Sequence, residues 1–298
     1  MSEPRCGRVL TAMVTPFHAD GSLNLDVAAQ LAKFLVGEGS EGLVVGGSTG
    51  EGSSLSDDEK LDLFACVAEA VSVPVLAGST FANTQQSVAL TTQVKATGVA
   101  GVLATTPAYA RPNQAGIAGH LGAIAESTPL DVMLYDIPGR TGRKIESATT
   151  IDLVRSHKNI VAMKDASGDT AQAAHTKSVL GDELDLYSGD DSMLLAFLGV
   201  GAVGIVSVAA HWAGPEVAGI VHAAMRGDWN EAWRYNERAR ESFLFESSDA
   251  YPNPMPAKAA LRALGIAVGE CRLPHGPSDA DLDARASQVV AALTSTRA

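Results

Sequence analysis

Between residue 9 and about residue 225 the chain repeats one pattern eight times: a short apolar run, rich in β-branched residues, then a longer amphipathic stretch. The runs fall at 9–14, 42–45, 75–77, 101–104, 132–135, 160–163, 184–187 and 204–206. The amphipathic stretches lie at roughly 26–38, 57–70, 84–97, 114–126, 147–156, 170–179, 191–198 and 215–226. Runs that are apolar at every position read as strands covered on both faces, the situation of a parallel sheet with helices outside it. Eight such units predict a closed (β/α)8 barrel, the TIM-barrel architecture, rather than an open doubly wound sheet. Ser56, Ser147 and Asp169 stand where helix N-caps belong. Residues 227–298 hold three helix-like stretches and no convincing strand. The expected division is therefore a catalytic barrel over 1–226 and a C-terminal three-helix appendix over 227–298.

Composition removes several functions. A hydrophobic fraction of 46% with 19% charged residues is that of a globular chain. The formal charge of −12, without any basic run, argues against nucleic acid as a partner. No stretch reaches the roughly 18 apolar residues of a membrane span, and the first residues lack the order of a signal peptide. No membrane partner and a cytoplasmic location are expected. Cys6, Cys66 and Cys271 are far apart and outside any CxxC pattern, and the histidines form no HExxH pair, so neither a disulfide framework nor a metal is expected.

In a barrel of this kind reactive groups sit at the C-terminal ends of the strands. There the sequence places Ser48 and Thr49 in a glycine-rich turn, Tyr109 after the fourth run, Tyr135 and Arg140 at the fifth, Lys164 at the sixth and Gly189 to Asp191 at the seventh. Lysine has an ordinary pKa of about 10.4, which apolar walls lower. An amine so placed can attack a carbonyl and form a Schiff base, although Lys164 could also simply mark the exposed end of its strand. Tyr135 could pass protons to that amine or merely fill the barrel, with Ser48 as a relay.

The segment from Gly46 to Gly52 has neither GxGxxG spacing nor a GK[ST] ending, so a turn whose N–H groups and hydroxyls hold a carboxylate fits better than a nucleotide loop. A tight capped turn is the plainer alternative. Arg140 offers the donor fork that a carboxylated substrate requires, or is a surface arginine. Asp191 stands at an N-cap position, which favours capping over an acid–base or metal-binding role for the Asp190–Asp191 pair. His120, His157, His175 and His222 fall on outer helices and receive no chemistry.

These segments in this order resemble the dihydrodipicolinate synthase and N-acetylneuraminate lyase family of pyruvate-dependent class I aldolases. The likeness runs over nearly the whole chain: AMVTPF at 12–17, GGSTGE at 46–51, TTPAYARPNQ at 105–114, YDIPGRTG at 135–142, AMKDASGD at 162–169, SGDD at 188–191 and YPNPMPAK at 251–258. Arg140, SGDD and PNPMPAK look like the synthase branch. The resemblance implies condensation of pyruvate with L-aspartate 4-semialdehyde to 4-hydroxy-tetrahydrodipicolinate, with no cofactor beyond the covalent imine.

It implies Lys164 as the Schiff-base lysine and Tyr135 as the proton shuttle, linked to Ser48 and to a Tyr109 reaching in from a neighbouring subunit of a homotetramer. Thr49 would bind the pyruvate carboxylate and Arg140 that of the semialdehyde, with Gly189 and Val206 lining the pocket. Two departures stand out. Ser48 replaces the usual threonine, and Ala108, Asp57, Lys60 and Gln86 occupy the places that bind lysine in feedback-inhibited relatives. Lys60 would repel a cationic effector, so lysine inhibition is expected to be weak or absent. The competing readings are an aldolase or dehydratase for a sugar-derived 2-keto acid, a nonenzymatic small-molecule binder on the same barrel and, last, a nicotinamide oxidoreductase.

Overall fold

A computed structural model describes residues 3–297. Among them, eight parallel strands pair in chain order and the last closes on the first: β1 (Val9–Ala12), β2 (Gly42–Val45), β3 (Val75–Gly78), β4 (Gly101–Thr105), β5 (Asp131–Asp136), β6 (Ile160–Asp165), β7 (Asp185–Ser188) and β8 (Gly204–Ser207). Around them run α1 (Leu25–Gly37), α2 (Asp57–Ala70), α3 (Thr84–Val94), α4 (Gln114–Glu126), α5 (Pro138–Thr141), α6 (Ser147–Ser156), α7 (Thr170–Leu180), α8 (Leu194–Gly199) and α9 (Ala210–Met225). Three more helices follow: α10 (Trp229–Phe245), α11 (Met255–Ala263) and α12 (Ala280–Arg297). The expected (β/α)8 barrel with a C-terminal helical part is what the chain forms. No described helix is long and apolar enough to cross a membrane.

Alternation along the strands divides the core. Leu10, Val44, Leu76, Leu103, Met133 and Tyr187 fill the barrel, while Val9, Leu43, Val45, Val132 and Leu134 pack outward against the helices. Strand β6 breaks this alternation. Its ladder with β5 shifts register, from Val132 opposite Ile160 to Met133 opposite Ala162, so β6 carries one residue more. Val161 and Ala162 both face inward, Met163 turns out to the helices, and Lys164 lies opposite Tyr135 on one side and Tyr187 on the other. Without the extra residue, strict alternation from Ile160 would aim Lys164 at the helix layer.

Several boundaries differ from the sequence expectation, each for a local reason. β1 stops at Ala12, and two residues later the Val14 N–H donates to His211 Nε2 (3.1 Å) rather than to a neighbouring strand. The one-turn helix α5 was not anticipated; Pro138 at its first position starts it and Gly142 ends it at φ 73°. α9 begins at Ala210, five residues early, and accommodates Pro215 with non-helical backbone at Ala213.

Of the expected caps, Ser56 makes a full capping box with Glu59, and Asp169 accepts from the Gln172 N–H at 2.9 Å. Ser147 does not cap. Glu146 precedes the helix, and the Ser147 hydroxyl instead accepts from Thr176 Oγ1 at 2.9 Å.

Candidate active site

The polar strand ends converge on a cavity of about 160 Å³ at the C-terminal rim. Lys164 and Tyr135 reach it from inside the barrel at 3% and 4% exposure, with Lys164 Nζ 4.3 Å from the centre of the tyrosine ring. The alternative in which Lys164 is an exposed strand end is thereby removed. Gly189 lines the same cavity, and a Cβ there would stand 3.0 Å from Lys164 Cγ and 2.9 Å from Ala166 Cβ. The lysine stem thus occupies the volume that a side chain at 189 would need.

Ser48 and Thr49 line the rim from the turn after β2. That turn is tightly wound: a Cβ on Gly52 would lie 2.0 Å from the Gly46 carbonyl oxygen. Glu51 within it adopts φ 53°, and its buried carboxylate pairs with Lys258 Nζ of α11 at 2.7 Å. Thr49 Oγ1 accepts from Asn253 Nδ2 at 2.9 Å, leaving the threonine O–H available to donate into the cavity. Arg140 lines the opposite wall from α5, its guanidinium donating to the Asn253 carbonyl at 3.2 Å. A hydroxyl-bearing turn on one side and a guanidinium on the other can hold two carboxylates about a central amine.

A second cavity, of about 380 Å³, shares Ser48, Tyr135 and Arg140 and extends toward Phe81 and Thr106. Two other expected residues lie elsewhere. Val206 packs inside the barrel with Leu10 and Tyr187, and the residue of this segment that lines the cavity is Val208. Tyr109, 98% exposed at φ 67°, lines neither cavity of its own chain.

The acidic pair after β7 divides its work differently from expectation. Asp190 is the cap, accepting from the Ser192 N–H at 2.9 Å, and it lines the cavity. Asp191 is buried and serves another element: its carboxylate accepts from Ser207 Oγ and from the N–H groups of Val208 (2.8 Å) and Ala209 (3.2 Å), just ahead of α9. Beside these, buried His211 donates from Nδ1 to the Val208 carbonyl at 2.7 Å, and burial pushes its pKa down to about 4. Among the described residues, no group of three or more His, Cys, Asp or Glu side chains could hold a metal ion.

Asn253 and Glu246, both in the cavity wall, received no role from the sequence. Asn253 lay inside the PNPMPAK segment and could have been singled out; Glu246 had no local signal. It lines the cavity from the C-terminal end of α10, and its Oε2 is buried without a hydrogen-bond partner.

Comparison with known proteins points to one family. Residues 5–293 match the dihydrodipicolinate synthetase family. The chain is 45% identical over 293 residues to a 4-hydroxy-tetrahydrodipicolinate synthase of Synechococcus sp. (strain WH7803), covering 97% of this chain and 96% of that one. The structure of the synthase from Cyanidioschyzon merolae with lysine bound superposes with a TM-score of 0.93 at 39% identity, covering 98% of this chain and 99% of that one. The chloride-inhibited enzyme from Acinetobacter baumannii complexed with pyruvate gives 0.90 at 29% identity, covering 96% and 98%. The likeness takes in the barrel and the helices beyond it together, and the chain that wraps Lys164 in this way belongs to the dihydrodipicolinate synthetase family.

Proposed function

We propose that the chain condenses pyruvate with L-aspartate 4-semialdehyde to 4-hydroxy-tetrahydrodipicolinate, in the route to diaminopimelate and lysine. The observation that carries this reading is the buried Lys164 amine against Tyr135, between a carboxylate-binding turn and Arg140. Pyruvate forms an imine with Lys164, its carboxylate held by Thr49 and the turn N–H groups, while Tyr135 and Ser48 move protons to and from the carbinolamine oxygen. Loss of a methyl proton gives the enamine, which attacks the aldehyde of a semialdehyde anchored by Arg140. The substrate amine then displaces Lys164 as the ring closes. The iminium is the electron sink, so the reaction calls for no metal or organic cofactor.

Tyr109 projects away from its own cavity, which suits a residue completing a neighbour's site in a homotetramer of two tight dimers. The setting is the cytoplasm. The test is mass spectrometry after borohydride reduction with pyruvate, followed by product detection with aspartate semialdehyde. A pyruvyl adduct on Lys164 and a cyclised product support the reading. An unmodified Lys164 sinks the imine, and preferential turnover of a keto-deoxy sugar acid would move the chain to the aldolase branch.

A further inference from the structure

The cavity flanks Lys164 on two sides, and the roles above use only one of them. Tyr135 and Arg140 stand on the β5 side. On the other, beyond β7 and β8, the wall is Asp190, Val208 and Glu246. Here a residue of the chamber wall, Glu246, carries a carboxyl whose Oε2 is buried and unpartnered. A buried orphan oxygen is costly unless a ligand or a proton meets it.

The neighbouring carboxylate determines where the proton lies. The Glu246 carboxyl lies near that of Asp191, and two like charges so placed in a buried setting disfavour ionising both. Asp191 already accepts from Ser207 Oγ and from the Val208 and Ala209 N–H groups, whereas Glu246 Oε2 has no donor at all. A proton on Glu246 relieves that repulsion and meets the oxygen that lacks a donor. Burial first, then the nearby Asp191 and Asp190 carboxylates, push its pKa well above the usual carboxylate range, with the Lys164 charge opposing.

We propose that Glu246 is a further catalytic residue, the acid that protonates the aldehyde oxygen of the second substrate as the new carbon–carbon bond forms. This rests on the condensation proposed above. As the enamine carbon attacks the aldehyde carbon, the C=O π pair moves to oxygen, which takes the Glu246 proton and becomes the product hydroxyl. Glu246, now a carboxylate, next removes a proton from the substrate ammonium. The freed amine attacks the imine carbon and expels Lys164, and Glu246 has regained its proton. One group thus serves two steps on the face of Lys164 away from Tyr135, its acid strength set chiefly by burial.

The test compares Glu246→Gln and Glu246→Asp with the wild-type enzyme in three measurements: borohydride trapping of pyruvate, kcat and KM for aspartate semialdehyde, and the pH profile of kcat. The groups facing Glu246 are Asp191 and Asp190 from the β7 loop and Lys164 from β6, with Arg140 across the cavity. Expected for Glu246→Gln are pyruvate trapping equal to wild type, a kcat lower by about 100-fold with KM little changed, and loss of the alkaline limb of the wild-type profile. Glu246→Asp should recover part of kcat. A Gln variant within about twofold of wild-type kcat overturns the proposal, as does a wild-type profile with no alkaline limb. Loss of trapping together with condensation in both variants overturns it too, making Glu246 structural. Failure of the wild-type enzyme itself to trap pyruvate would instead strike at the imine reading.

Discussion

Asn253 donates its side-chain amide to the hydroxyl of Thr49 at 2.9 Å across 204 residues of sequence, and its carbonyl accepts from Arg140. One residue from the segment ahead of α11 thus orients both proposed carboxylate-binding groups. Asn253→Ala removes the amide and leaves the Thr49 hydroxyl without its donor. The expected result is a loss of about 1 kcal/mol in stability and a KM for pyruvate raised about tenfold. Urea titration and steady-state kinetics check this, and an unchanged KM would show that Thr49 is held by the turn alone.

Gly189→Ala should inactivate without unfolding. The added methyl would press on Lys164 Cγ and Ala166 Cβ, and displacing a reacting group by a fraction of an ångström to one ångström lowers rates by about 100-fold. Circular dichroism should remain native. Normal turnover would mean that the lysine stem yields freely.

Lys258→Met should weaken the fold. Both members of the Lys258–Glu51 pair are within 1% of full burial, and removing the cation strands a buried carboxylate, at a cost of about 3–5 kcal/mol. A chemical denaturation curve measures it, and Lys258→Met combined with Glu51→Gln should recover part of the loss. Equal midpoints for the wild type and the single variant would show the pair to be neutral.

Asp136, behind the site on β5, gives stability a pH dependence opposite to that of an ordinary surface carboxylate. Burial raises its pKa to about 7, with the nearby Asp165 charge adding to the effect and the Ile145 N–H and Lys144 opposing it. The folded form binds this proton more tightly than the unfolded form, so stability falls as pH rises from about 4 to about 7, by roughly 4 kcal/mol in all. Asp136→Asn should remove that slope and gain on the wild type toward neutral pH. Parallel stability curves for the two proteins across this range would refute the assignment.

Lysine should inhibit weakly or not at all. Lys60 is buried on α2, its ammonium 3.8 Å from the Phe81 ring centre, and burial lowers its pKa to about 8. The family resemblance puts the effector position of feedback-inhibited relatives at Lys60, where its charge would repel a cation. Initial rates should stay level through millimolar lysine, and clear submillimolar inhibition would contradict this.

The eight strands, their order and the rim of Ser48, Thr49, Tyr135, Arg140 and Lys164 were legible in the sequence, because apolar runs and turn chemistry are local properties of the chain. What alternation could not provide was the direction of Lys164. The extra residue in β6 exists only relative to β5, so it appears once the two strands are paired, and it turns Lys164 inward opposite Tyr135. The helix terminus served by Asp191, the grip of Asn253 on Thr49 and the arrival of Glu246 beside Asp191 likewise join separate parts of the chain. Periodicity reports what each segment buries. Which groups meet at the mouth of the barrel is set by packing of the C-terminal helices against strands laid down much earlier in the chain.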